Sequence, residues 1–181
     1  MKGKLLGLIE GNHYAELESG ITTTQYLCEL LGCKYLGFSS FVRMSFSRPR
    51  YTRCTTSIDI WIHHGKGGAG LVGGSLNAVE KMAQIAEADI YLMAHDHRKS
   101  AATKSRLTLG EGGGRIQLSR RKILLARTGS FLKGYEPEKP SYIAEAGYSP
   151  TDLGVVKIEL TPRRERKNGV DNFYIDLHCS I

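Results

Sequence analysis

The sequence predicts an α/β fold in one domain spanning residues 1–181, and three observations carry the prediction. Short apolar runs of strand length recur at residues 4–10, 57–62 and 89–93. Segments with apolar residues at helical spacing lie between them, at 22–31 and 75–88. Each apolar run stops abruptly at histidine, in Gly11-Asn12-His13, in His63-His64-Gly65 and in Ala94-His95-Asp96-His97. Strand alternating with helix is the pattern of an α/β sheet, whose strand ends collect ligand-binding side chains. Five of the six histidines fall in these three clusters. Imidazole is the commonest protein ligand of divalent transition metals, so the strand ends are candidate metal-facing positions.

The elements follow in order. Residues 4–10 are nearly all apolar, the pattern of a strand covered on both faces, so the chain is expected to open inside a sheet. In 22–31, Leu27, Leu30 and Leu31 share a helical face, and Gly32 stands where a helix end takes a left-handed residue; this helix is expected to pack on the sheet. Residues 34–46, rich in aromatic and β-branched side chains, predict a hairpin turning at Ser39-Ser40 and broken by Arg48-Pro49-Arg50. The strand at 57–62 runs into His63-His64-Gly65-Lys66-Gly67-Gly68-Ala69-Gly70. That loop lacks the Gly-Lys-Ser/Thr step into a helix that a phosphate-cradling P-loop needs, and its glycines are expected to let backbone pass close to a bound substrate. Ser75 is the expected N-cap of a helix with Leu76, Val79, Met82, Ala83 and Ala86 on its apolar face. The next strand, 89–93, delivers His95 and His97. Beyond it, 106–109, a glycine turn at 110–114, 115–118 and 122–126 imply hairpins of a second sheet. Residues 134–153, holding Pro137, Pro140 and Pro150, are expected to be irregular. Two last strands, 155–160 and 173–177, flank a charged turn at 162–168.

A chain of 181 residues can bury a core without disulfides or structural metal. Cys28, Cys33, Cys54 and Cys179 form no Cys-x-x-Cys pair and are expected to be reduced. No stretch has the length and apolarity of a membrane span or the order of a signal peptide, so a cytoplasmic location and no membrane partner are expected. The formal net charge of +7 points to an anionic partner. Between Glu29 and Asp59 there is no acid, while Lys34, Arg43, Arg48, Arg50 and Arg53 lie there; from Arg98 to Arg127, Glu111 is the only acid among nine Lys and Arg. A solvated basic face and a nucleic-acid groove are both consistent with this pattern.

The three histidine clusters, in this order and each at a strand end, resemble the last three motifs of the calcineurin-like metallophosphoesterase superfamily. Residues 128–135 and 142–145 are also similar to the C-terminal parts of its phage and prophage members. The resemblance implies a four-layer α/β/β/α sandwich, present here as a partial, N-terminally truncated form. It implies two divalent ions such as Mn, Fe or Zn. Asn12 and His95 would bind one ion and His97 the other, and His63 or His64 would complete the first; both alternatives stay open. His13 would be the proton donor to the leaving oxygen of a phosphate-ester substrate. In such sites the ions polarise the phosphoryl group and hold the attacking hydroxide.

Members of that superfamily begin with Asp-x-His and Gly-Asp-x-x-Asp motifs, which supply the remaining ligands. Here no Asp precedes Asp59. The second ion is therefore expected to bind poorly unless a second polypeptide supplies the missing aspartates. The expected function is a metal-dependent phosphomonoesterase or phosphodiesterase, incomplete as this chain alone. The alternative is a catalytically inactive basic module that binds nucleic acid.

Overall fold

The computed structural model describes residues 4–48, 51–67, 71–112, 115–167 and 170–181. The elements in chain order are β1 (Gly7–Leu8), α1 (Thr23–Leu31), β2 (Lys34–Tyr35), β3 (Ser39–Arg48), β4 (Tyr51–His63), α2 (Val72–Met82), β5 (Ile90–Met93), β6 (Lys99–Gly112), β7 (Arg115–Ser130), α3 (Tyr142–Glu145), β8 (Gly154–Val155), β9 (Lys157–Lys167) and β10 (Val170–Ser180). Strands outweigh helices, and the class is α/β.

One mixed sheet dominates, in the order β3-β4-β5-β7-β6, with β8 pairing β7. Its centre is parallel, β4 with β5 and β5 with β7, while β3 and β6 run antiparallel on the flanks. The central strands are apolar on both faces, as a sheet covered on two sides requires. Val79 and Met82 of α2 pack with Ala88, Tyr91, Met93, Ile123 and Leu125 on one face. The alternate residues Ile90 and Leu124, with Ile58 and Ile60, meet Leu177 and Ile158 of the β9–β10 hairpin on the other. A two-residue side-chain period along each strand divides the two clusters. The described residues thus form helix, sheet and hairpin layers; β1, β2 and α1 make a small unit at the end of β3. Among the described residues, no helix is long and apolar enough to cross a membrane.

Several expectations are corrected. The run at 4–10 contributes only Gly7 and Leu8 to a strand, paired in parallel with Lys34 and Tyr35, and both are half-buried rather than covered. Gly7 is required there, since a Cβ would lie 2.6 Å from the Lys34 carbonyl oxygen. Leu27, Leu30 and Leu31 of α1 are exposed, and Cys28 is the residue that this helix buries. Ser39 and Ser40 do not turn; they pair with His63 and Ile62, so that the hairpin is β3–β4. Its expected breaker, Pro49-Arg50, lies outside the described residues, as do Gly68-Ala69-Gly70. Helix α2 starts at Val72 with Leu71 as an uncapped N-cap, and Ser75 sits inside it because its hydroxyl bonds Asp96. Strands β6 and β7 form one long hairpin that joins the first sheet, because Ile90–Met93 finds its parallel partner in 124–127. The expected glycine turn there includes residues 113–114, outside the described residues. The charged segment from Pro162 to Lys167 is strand, paired with 170–175. Segment 134–153 is irregular apart from α3.

Candidate metal centre

The parallel register sets the site. His63, the last residue of β4, stands opposite Met93, the last residue of β5, so the loops that follow leave the sheet side by side. The His64 N–H donates to the Phe38 carbonyl at 3.0 Å. Gly65 has φ +94°, and a Cβ there would lie 2.7 Å from Met93 Cγ and 3.1 Å from the Ala94 oxygen, so the close passage of the two loops requires glycine. On the other loop, His95 and His97 both have left-handed backbone, at φ +78° and +60°.

The Asn12-His13 segment is anchored by the residue before it. Glu10 is 1% exposed. Its carboxylate accepts from Thr22 Oγ1 at 2.6 Å, Thr24 Oγ1 at 2.5 Å and Tyr35 Oη at 3.1 Å. Burial pushes its pKa up, but these hydroxyls and the Gly11 N–H more than offset that and hold it below the usual carboxylate value. Thr22 is also the N-cap of α1, in a capping box with Gln25, so one side chain ties the helix start to the loop.

Asn12, His13, His64, His95 and His97 line one cavity of about 620 Å³. His64 Nε2 is 2.9 Å from Asn12 Oδ1 and 3.1 Å from His95 Nδ1. The Asn12 amide nitrogen is 3.2 Å from His13 Nε2. His97 Nδ1 is 3.3 Å from Tyr142 Oη. His63 is not brought into the group: its Nδ1 accepts from the Gly65 N–H at 2.7 Å. Burial lowers the pKa of His64 and His97, and neighbouring histidines lower it further; Asp96 opposes this for His97. These imidazoles are therefore neutral at pH 7, the form that can donate a lone pair to a metal.

No family model matches the chain, and no curated protein or solved structure is significantly similar to it.

His64 joins an amide oxygen of Asn12 and an imidazole nitrogen of His95 through hydrogen-bond contacts, and these are donor types that divalent transition metals take. Among the described residues, no three or more His, Cys, Asp or Glu side chains come together as a metal-binding group. Glu10 and Asp96 reach the cavity wall, but their carboxylates are committed to other groups, and a second ion would have only His97 from this set.

Sequence reasoning missed Glu10, Ser75, Arg127 and Tyr142. Glu10 and Arg127 are charges that end apolar runs and Ser75 is an expected N-cap, but nothing local marked the partners of any of the four. Part of the basic stretches is paired with acids. Arg43 makes a two-pronged pair with Asp59 at 2.6 and 2.8 Å, Lys104 pairs with Glu80, and Arg121 pairs with Asp89 and Glu87. Arg127 is buried. Arg50 and the side chains of Arg48 and Arg53 lie outside the described residues.

Proposed function

We propose that this chain is a metal-dependent phosphoesterase of the calcineurin-like type, acting on a phosphomonoester or phosphodiester. The observation that supports it most is the meeting of Asn12 Oδ1, His64 Nε2 and His95 Nδ1 within 2.9–3.1 Å contacts, beside His13 and His97, where parallel strands β4 and β5 end. Asn12, His64 and His95 would hold one divalent ion such as Mn, Fe or Zn, and His97 would belong to a second. The bound metal supplies Lewis-acid polarisation of the phosphoryl oxygens and a hydroxide at neutral pH.

The chain's own groups divide the remaining work. Asn12 turns its oxygen toward His64 and its amide nitrogen toward His13, so one side chain serves both the ligand set and the proton donor. With the Asn12 amide nitrogen against Nε2, Nδ1 is the His13 nitrogen left to present a proton to a departing alkoxide oxygen. The second ion needs carboxylates beyond this set. An inactive nucleic-acid module is the weaker reading, because Arg43, Lys104 and Arg121 already have acidic partners.

The test is elemental analysis after equilibration with manganese and desalting, on wild type and His95→Ala, with hydrolysis of bis(4-nitrophenyl) phosphate followed in parallel. About one retained ion per wild-type chain, lost in His95→Ala, is expected, with hydrolysis that requires manganese. No retained ion in wild type would overturn the reading. Oligonucleotide binding that survives a chelator and weakens steeply with salt would then favour the nucleic-acid module.

A further inference from the structure

Behind the loop that carries His95 and His97 lies a set of charged and polar groups as deeply buried as the apolar core. The side chains of Arg127 on β7 and Asp96 in the loop are 1% and 3% exposed, and Ser75 in α2 is fully buried. Arg127 Nη1 donates to the Ala94 carbonyl at 2.6 Å, and Nε donates to the Ser75 carbonyl at 3.0 Å while standing 3.3 Å from Asp96 Oδ2. Asp96 Oδ2 accepts from the Ser75 hydroxyl, and Oδ1 accepts from the Arg98 N–H at 3.3 Å. Residues 94, 96 and 98 are thus each held by hydrogen bonds on either side of His95 and His97.

Stability does not account for this arrangement. Taking a guanidinium and a carboxylate out of water costs heavily, and apolar residues of the same volume generally serve a core as well or better. The loop itself needs holding: His95 and His97 are both left-handed, a conformation that non-glycine residues adopt at a cost and keep only where surrounding contacts impose it. The left-handed pair ends the extended course of β5, and with it the Asp96 side chain is buried beside Arg127 while both imidazoles line the cavity.

We propose that Arg127 and Asp96, assisted by Ser75, are positioning residues: they impose the left-handed turn that presents His95 and His97, and so set the affinity and geometry of the metal centre. This rests on the reading of His95 as a ligand. Groups one shell behind the ligands typically change metal affinity by about 10–100-fold.

Cobalt(II) titration followed by visible absorption, on Asp96→Asn, Arg127→Met and Ser75→Ala, tests the proposal. Leu177→Ala serves as a control that weakens the core on the opposite face of the sheet. At least a tenfold loss of cobalt affinity with an altered spectrum is expected in Asp96→Asn and Arg127→Met, with Arg127→Lys recovering part of it. Leu177→Ala should lower the melting temperature and leave the cobalt spectrum unchanged. The metal-free imidazole 1H–15N spectrum is recorded alongside, where Asp96→Asn should shift the His95 and His97 signals. If Arg127→Met fails to fold, Asp96→Asn and Ser75→Ala decide. Wild-type affinity and spectrum in those two would overturn the proposal. Should wild type bind no cobalt, the metal reading fails, and unchanged His95 and His97 imidazole signals in Asp96→Asn would then overturn the positioning role as well.

Discussion

His63 and His64 are adjacent in sequence and identical in chemistry, yet the structure gives them different work. His63 closes β4 and accepts the Gly65 N–H, while His64 reaches Asn12 and His95. Replacing each by alanine should separate the two. His64→Ala is expected to abolish manganese retention with little change in stability. His63→Ala should keep the ion and cost about 1 kcal/mol, the net worth of one hydrogen bond; elemental analysis and urea denaturation read the two quantities. Glu10 offers a second case. Its carboxylate accepts three hydroxyls, and Glu10→Gln would turn an amide N–H₂ toward donors. A loss of about 1–3 kcal/mol in urea denaturation is expected, the cost of leaving buried polar groups unsatisfied. Neither residue's role could be read locally, because Glu10 has the composition of an ordinary strand end and its partners lie 12 to 25 residues away.

Among the elements, α1 shows how far local signals reach. Its start at the Thr22–Gln25 capping box and its end at left-handed Gly32, φ +64°, are both visible in the sequence. Thr22→Ala should cost about 0.5–2 kcal/mol for the cap alone. A value at the upper end is expected, since the same hydroxyl also serves Glu10; Ser at this position should restore most of it, with urea denaturation as the measure. The buried face of α1 was not legible: Leu30 is 64% exposed, because helical spacing identifies a face without saying what covers it. Helix α2 presents the reverse case. Its apolar residues Val79 and Met82 are buried as spacing suggests, whereas Ser75, well suited by type to an N-cap, belongs to the interior through its bond to Asp96.

For the whole molecule, pH dependence follows from the half-buried histidines. His63, His64 and His97 all have folded pKa values below the ordinary 6.5. A depressed value means that, below about pH 6.5, the unfolded chain takes up protons the folded chain resists, so stability falls as pH drops toward the folded values. Glu10, held below 4.5, extends the decline to more acid pH by the same sign. Thermal midpoints of the metal-free protein should be level from pH 7 to 8 and fall progressively below about 6.5; a midpoint that rises on acidification would contradict the burial of these rings. The amino-acid sequence by itself determined the α/β class, the strands that become β4 and β5, and the histidine clusters at the ends of those two strands, because each rests on contacts or periodicities within about ten residues. Only the tertiary structure decided that β6 and β7 join the first sheet, that His64 rather than His63 meets Asn12 and His95, and that Arg127 lies buried behind the loop of His95 and His97. Those outcomes depend on the register between strands distant in sequence and on which charges are buried together, and neither quantity has a local signature.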